Sequence, residues 1–121
     1  MPIRTVLVVD DSPTERFYLV DILKKNGFLT DTASNGAEGI ERARKTRPDL
    51  ILMDVVMPDI NGFQVTRMLS RDEATKAIPV IMCTSKGQET DRVWGLRQGA
   101  VDYMVKPIAE ADLIAKIQNL D

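Results

Sequence analysis

Five short apolar runs punctuate the chain: Val6-Leu7-Val8-Val9, Phe28 to Ala33, Leu50-Ile51-Leu52-Met53, Val80-Ile81-Met82-Cys83 and Tyr103-Met104-Val105. Four of them are nearly unbroken, the pattern of strands covered on both faces, and the second, FLTDTA, mixes in polar positions and is placed at a sheet edge. The intervening segments follow a helical period. From Pro13 to Asn26 the residues Phe17, Leu19, Val20, Ile22 and Leu23 form a broad apolar face; Ser12 is the N-cap, Pro13 takes the first helical position, Glu15 follows the cap by three, and Gly27 stops the helix. A second helix is expected after Asn35 and before Pro48, and a third after Gly62 with Val65, Met68 and Leu69 inward. A fourth is expected from Glu89 to Gln98, and a last one carries Leu113, Ile117 and Leu120. The result is an α/β domain of five βα units, a doubly wound parallel sheet in which sites form beyond the carboxyl ends of the strands.

Composition narrows the chemistry. A chain of 121 residues fits one domain, and 44% apolar with 28% charged residues is an ordinary globular balance that argues against disorder. The net charge of −2 comes with dispersed basic residues, so nucleic acid is not an expected direct partner. Cys83 is the single cysteine and there is no histidine, which excludes an internal disulfide, a Cys/His zinc site and a hydrolytic triad built on histidine. No signal-like segment and no run of transmembrane length occurs, so a cytoplasmic protein without membrane insertion is expected.

The residues that end the strands carry the functional signal: Asp10 and Asp11 after the first, Asp54 after the third, Thr84 after the fourth and Lys106 after the fifth. Singly, an aspartate after a strand is usually a turn former or a helix cap. Together they are harder to dismiss, because two carboxylates about 4 Å apart repel by about 4 kcal/mol at an effective dielectric of 20. Three in one crevice need positive charge or raised pKa values. Lys106 supplies one charge, and a divalent cation suited to oxygen ligands, Mg²⁺, would supply the rest. A carboxylate beside such a cation, a lysine and a hydroxyl can attack phosphorus and hold the resulting acyl phosphate.

Four segments in order, VVDDS at Val8–Ser12, MDVVMPDING at Met53–Gly62, PVIMCTS at Pro79–Ser85 and GAVDYMVKP at Gly99–Pro107, resemble the CheY-like receiver domains of two-component response regulators over the whole chain. The resemblance implies strand order 2-1-3-4-5 and a single receiver domain across residues 1–121 that accepts a phosphoryl group on Asp54 from a histidine kinase. It implies Mg²⁺ held by Asp11, Asp54 and the main-chain carbonyl of Val56, with Asp10 acting through water, and Lys106 pairing first with the acids and then with a phosphoryl oxygen. Thr84 is the implied hydroxyl switch, Tyr103 the aromatic that moves with it, and the Lys106–Pro107 bond is expected to be cis. The implied output is partner docking on the face made by the fourth helix, fifth strand and fifth helix. With no output domain after Asp121, a monomer that acts by docking is expected.

Other positions weigh less. Met53, Met57, Met68, Met82 and Met104 read as core packing, and Cys83 reads as a small apolar filler. Trp94 lies off the face shared by Val93, Leu96 and Ala100, on the side of Asp91 and Gln98, and is either an amphipathic ring along its own helix or a partner anchor. The octapeptide VWGLRQGA, Val93–Ala100, resembles single-domain receivers of chemosensory systems that control type IV pili and twitching motility. Rival readings are a receiver-like binding module independent of phosphate, an aspartyl-nucleophile phosphatase resembling the haloacid dehalogenases, and a flavodoxin-like flavin binder. The phosphatase would want a carboxylate where Val56 stands. The flavin binder would want a hydroxyl- and glycine-rich loop where Asp10-Asp11-Ser12-Pro13 stands.

By the same resemblance Val56 and Lys86 flank the path of hydrolytic water; valine cannot orient that water, and a long lysine can reach over the phosphate. Slow loss of the phosphoryl group follows. Replacing Val56 by asparagine is expected to speed that loss, and a decay of the phosphorylated protein that is unchanged or slower in Val56→Asn would refute it.

Overall fold

The computed structural model of the chain describes residues 2–121. Its elements alternate without interruption: β1 (Thr5–Val9), α1 (Pro13–Lys25), β2 (Leu29–Ala33), α2 (Gly36–Thr46), β3 (Leu50–Met53), α3 (Gly62–Arg71), β4 (Val80–Thr84), α4 (Glu89–Arg97), β5 (Asp102–Val105) and α5 (Glu110–Leu120). All pairings are parallel and the order is β2-β1-β3-β4-β5, so the polar second strand lies at an edge, as its composition predicts. The Lys106–Pro107 peptide is cis. Among the described residues no helix is long and apolar enough to cross a membrane.

Side chains alternate across a strand, and here that period divides the core in two. Val6, Val8, Leu50, Leu52, Ile81, Cys83 and Met104 face Leu19, Ile22 and Leu23 of α1 and Leu113 and Ile117 of α5. Leu7, Val9, Ile51, Met53, Val80, Met82 and Tyr103 face Ala43 of α2, Val65 and Leu69 of α3 and, less deeply, Leu96 of α4. Helices on both faces explain why the central strands are apolar on both sides, with Thr5 and Thr84 only at their ends.

Helix starts are written in the sequence. Ser12, Asn35 and Asn61 each accept a hydrogen bond from the backbone N–H three residues on, at Glu15, Glu38 and Gln64. Asp59 from the β3–α3 loop accepts two more from Gly36 and Ala37, 2.9 Å each, so the loop that follows Asp54 is tied to the N-terminus of α2.

Several faces differ from expectation. Phe17 is 73% exposed rather than part of the α1 core, because it sits about 200° around the helix from Leu19. Met68 is exposed, leaving Met53, Met57, Met82 and Met104 as the buried members of the methionine set. The inward arc of α3 runs instead through Gly62, Val65, Thr66 and Leu69, and the Thr66 hydroxyl is accommodated by donating to the Met82 sulfur at 3.4 Å. In α4 the buried residue is Gly95, whereas Val93 is exposed and Gln98, expected beside Trp94 on the outer side, is buried as the C-cap. The second strand starts at Leu29, one residue later than expected.

These assignments predict opposite outcomes for two large apolar residues of α1. Leu23→Ala is expected to cost about 2–5 kcal/mol, the range for a deep core truncation, and Phe17→Ala to stay within about 0.5 kcal/mol. Urea unfolding of both variants tests the difference.

Candidate functional site

The site is built by continuing the ladder one residue past the sheet. The backbone N–H of Asp10 donates to Ala33, that of Asp54 to Val9 and that of Lys106 to Thr84, so the three side chains leave adjacent or near-adjacent strands at one level. Asp10 is 1% exposed and Asp54 8%, whereas Asp11 is exposed at the rim. One carboxylate oxygen from each of the three lies within 4.8 Å of the others.

Lys106 is the cation within this group. Its Nζ donates to Asp10 Oδ2 at 2.8 Å and stands 3.6 Å from Asp54 Oδ2 and 3.8 Å from Glu15 Oε2. Each buried acid has further partners. Asp10 Oδ1 accepts from the Ser12 backbone at 2.9 Å, and Asp54 Oδ1 accepts from Val55 at 2.8 Å. The carbonyl of Asp10 accepts from the Arg16 guanidinium at 2.7 Å. The charge of Asp54 is disfavoured where it stands. Burial and then the neighbouring Asp10 push its pKa above the ordinary value, against the opposing pull of Lys106 and the Val55 N–H. Burial alone would lower Lys106, but the hydrogen bond to Asp10 and the charges of Asp54, Asp10 and Glu15 outweigh it and hold the ammonium above its usual range.

Gly62 makes this packing possible. A Cβ on it would lie 1.9 Å from the backbone oxygen of Asp54, and its N–H donates to Val55 at 2.8 Å, so the loop folds back directly over the acid. Val56, two residues beyond Asp54, is exposed at the rim.

On the other side Thr84 is fully buried and its Oγ1 accepts from the Lys86 backbone N–H at 3.2 Å. The carbonyl of the same residue accepts the Tyr103 hydroxyl at 2.6 Å. Tyr103 is thus turned inward, and burial pushes its hydroxyl up to about 12. Its ring occupies the space under Gly95, where a Cβ would stand 3.1 Å from Cδ2 and 3.2 Å from Cε2. The sequence pointed to the Lys86 side chain, which is exposed; the contacts that link Thr84 to Tyr103 come from its main chain. Trp94 is 48% exposed and borders a shallow depression with Glu89, Thr90, Val93 and Arg97, away from the acids. Cys83 is buried and its thiol is pushed up to about 12 by burial, which suits a packing residue and not a nucleophile. Glu15 is the member that sequence reasoning leaves outside the site: the sequence marks it only as a cap partner, and its approach to Lys106 depends on how the start of α1 meets the segment that follows the fifth strand.

The donor set consists of three carboxylates with no nitrogen or sulfur ligand, and a single lysine leaves it over-negative. That chemistry fits a hard divalent cation such as Mg²⁺.

Comparison with known proteins identifies the family. The profile of the response regulator receiver domain matches residues 6–118. The chain is 54% identical over 112 residues to the protein PilH of Pseudomonas aeruginosa, covering 93% of each. It is 40% identical to the transcriptional regulatory protein CusR of Escherichia coli over 95% of this chain, and it spans about half of that relative's length, 50%. Among solved structures, the chemotaxis protein CheY4 of Vibrio cholerae superposes with a TM-score of 0.91 at 30% identity, covering 98% of this chain and 99% of that one.

Because the folded pKa of Asp54 lies above the unfolded value of 3.8, the group contributes nothing at lower pH. It costs stability as pH rises through the folded pKa, and the cost persists above it. In the presence of a chelator, Asp54→Asn is therefore expected to raise the urea midpoint at pH 7, with the gain shrinking as pH falls toward 3.8. Equal midpoints for wild type and variant across that range would contradict this electrostatic account.

Proposed function

The chain belongs to the response regulator receiver family, and from that premise we propose that Asp54 is its phosphoacceptor. A receiver domain is a signalling component of a two-component system and not a classical enzyme; it implies a phosphodonor kinase upstream and targets downstream. The observation that carries the assignment is the Lys106 ammonium set between a buried Asp10 and a buried Asp54 that resists ionisation.

In the proposed reaction an oxygen of Asp54 attacks the phosphorus of a kinase phosphohistidine. The phosphorus–nitrogen bond breaks, its electron pair returns to the imidazole, and the product is a mixed carboxylic–phosphoric anhydride on Asp54. Lys106 shifts from the carboxylates to a phosphoryl oxygen. Asp11, Asp54 and the main-chain carbonyl of Val56 would hold Mg²⁺, with Asp10 acting through water; the ion supplies charge neutralisation at the phosphoryl oxygens. The chain thereby assists its own phosphorylation and dephosphorylation.

Thr84 then senses the phosphoryl group and Tyr103 follows it, which alters the α4–β5–α5 face for a protein target. Exposed Val93, Trp94, Val101 and Val105 give that face apolar contact points. We place the protein in the cytoplasm, docking as a monomer. The octapeptide Val93–Ala100 and the 54% identity to PilH support a role in type IV pilus or twitching motility signalling.

One observation favours a second reading, in which the domain binds its target without phosphate. Tyr103 is already inward, with its hydroxyl donating to the Lys86 carbonyl at 2.6 Å, the orientation in which the docking face would be ready for its target.

The test is intact mass after incubation with acetyl phosphate, with and without Mg²⁺. A gain of one phosphoryl group that needs Mg²⁺ and disappears in Asp54→Asn is the expected result. No gain under either condition would leave the phosphate-independent reading.

A further inference from the structure

Lys106 is carried at the end of β5, an edge strand with a hydrogen-bonded neighbour on one side only. Its side chain must leave one set of oxygens and meet another during transfer, so something outside the sheet has to hold its backbone still. We propose that α1 does this, and that Tyr18 is a positioning residue for Lys106. This inference rests on the phosphoacceptor reading above and adds a residue that reading does not use.

Polar contacts from α1 to the segment after β5 are spaced along the whole helix. Glu15 stands 3.8 Å from the Lys106 ammonium, and the Tyr18 hydroxyl donates to the backbone carbonyl of Ile108. Asn26, at the helix C-cap, donates to Glu110 at 3.1 Å and to the carbonyl of Ile22 at 2.8 Å. Positions 15, 18 and 26 fall within about a quarter turn of one another around the helix axis, so they line one side of it and meet Lys106, Ile108 and Glu110 in order. The alignment is parallel: the start of α1 meets Lys106 and its end meets the start of α5.

Between these tethers the segment is poorly packed. Thr14, Glu15, Tyr18, Pro107 and Ile108 enclose an open space of about 250 Å³ between helix and loop. Ile108 is buried with Leu19, Ile22 and Leu23, but Pro107 is exposed. Tyr18 is half-exposed while its hydroxyl is engaged, so the ring acts as a rigid arm that delivers a donor. Losing that donor frees a carbonyl two residues beyond Lys106. The ammonium would then be held by its acid partners alone, and its approach to a phosphoryl oxygen would lose definition.

The experiment compares wild type, Tyr18→Phe, Lys106→Ala and the double variant for Mg²⁺-dependent phosphorylation by acetyl phosphate, a donor that needs no kinase docking. Amide hydrogen exchange across residues 106–110 is measured in parallel. Tyr18→Phe keeps the ring and removes only the donor. It is expected to slow phosphorylation by about three- to tenfold, the effect of one hydrogen bond expressed in the rate, and to raise exchange in that segment by a similar factor. In the Lys106→Ala background it is expected to cause no further slowing, because its effect passes through Lys106. Unchanged exchange, an unchanged rate, or an equal slowing in the Lys106→Ala background would each overturn the proposal, the last by showing an ordinary loss of stability. Failure of the wild type itself to take up phosphate overturns the phosphoacceptor reading, and this inference with it, and is distinguished by falling on the parent and not on the variant.

Discussion

A single ammonium set against several carboxylates is the constraint around which the molecule is arranged. Asp10 and Asp54 cannot be buried side by side without a compensating charge, and the sheet supplies it by bringing Lys106 from the far edge within 2.8 Å of Asp10 and 3.6 Å of Asp54. The parallel order with β1 and β3 adjacent puts the acids together, and β5 places the cation across the crevice from them. Compensation is incomplete: Asp54 stays reluctant to ionise, and Asp11 and Glu15 add to the negative side. That residual imbalance is what makes the donor set chemically suited to a further positive charge.

The same crevice is connected to the outer face by main chain more than by side chain. Thr84 and Tyr103 both bond to the backbone of Lys86, one through its N–H and the other through its carbonyl. Tyr103 fits beneath α4 because Gly95 offers no Cβ, so glycine's usual cost inside a helix is offset by a buried aromatic ring. A movement of the β4–α4 loop therefore displaces both residues together.

The strand ends were legible in the sequence because continuous apolar runs announce buried strands and their last polar residues are conspicuous against them. The doubly wound topology then brings Asp10, Asp54, Thr84 and Lys106 to one crevice with no further information. Helix faces were less legible. Phe17 and Met68 are apolar but lie outside the inward arcs, and Thr66 is polar but lies inside one, because an arc is set by contact with the sheet and with neighbouring side chains such as Met82. Glu15 and Tyr18 were invisible as site residues for a related reason. Their partners are Lys106 and the Ile108 carbonyl, some ninety positions away, and no local pattern encodes where a helix meets a distant loop.

The contact between Lys106 and Asp10 spans 96 positions of sequence. Asp10 and Asp54 belong to the first half of the chain and can be gathered by β1 and β3, yet their neutralising partner arrives only when the last strand docks. Any partly assembled form that lacks β5 therefore presents a naked anionic pocket, stabilised by dissolved cations and penalised in their absence. Assembly of this domain is consequently sensitive to the ionic composition of its surroundings for as long as β5 is not docked.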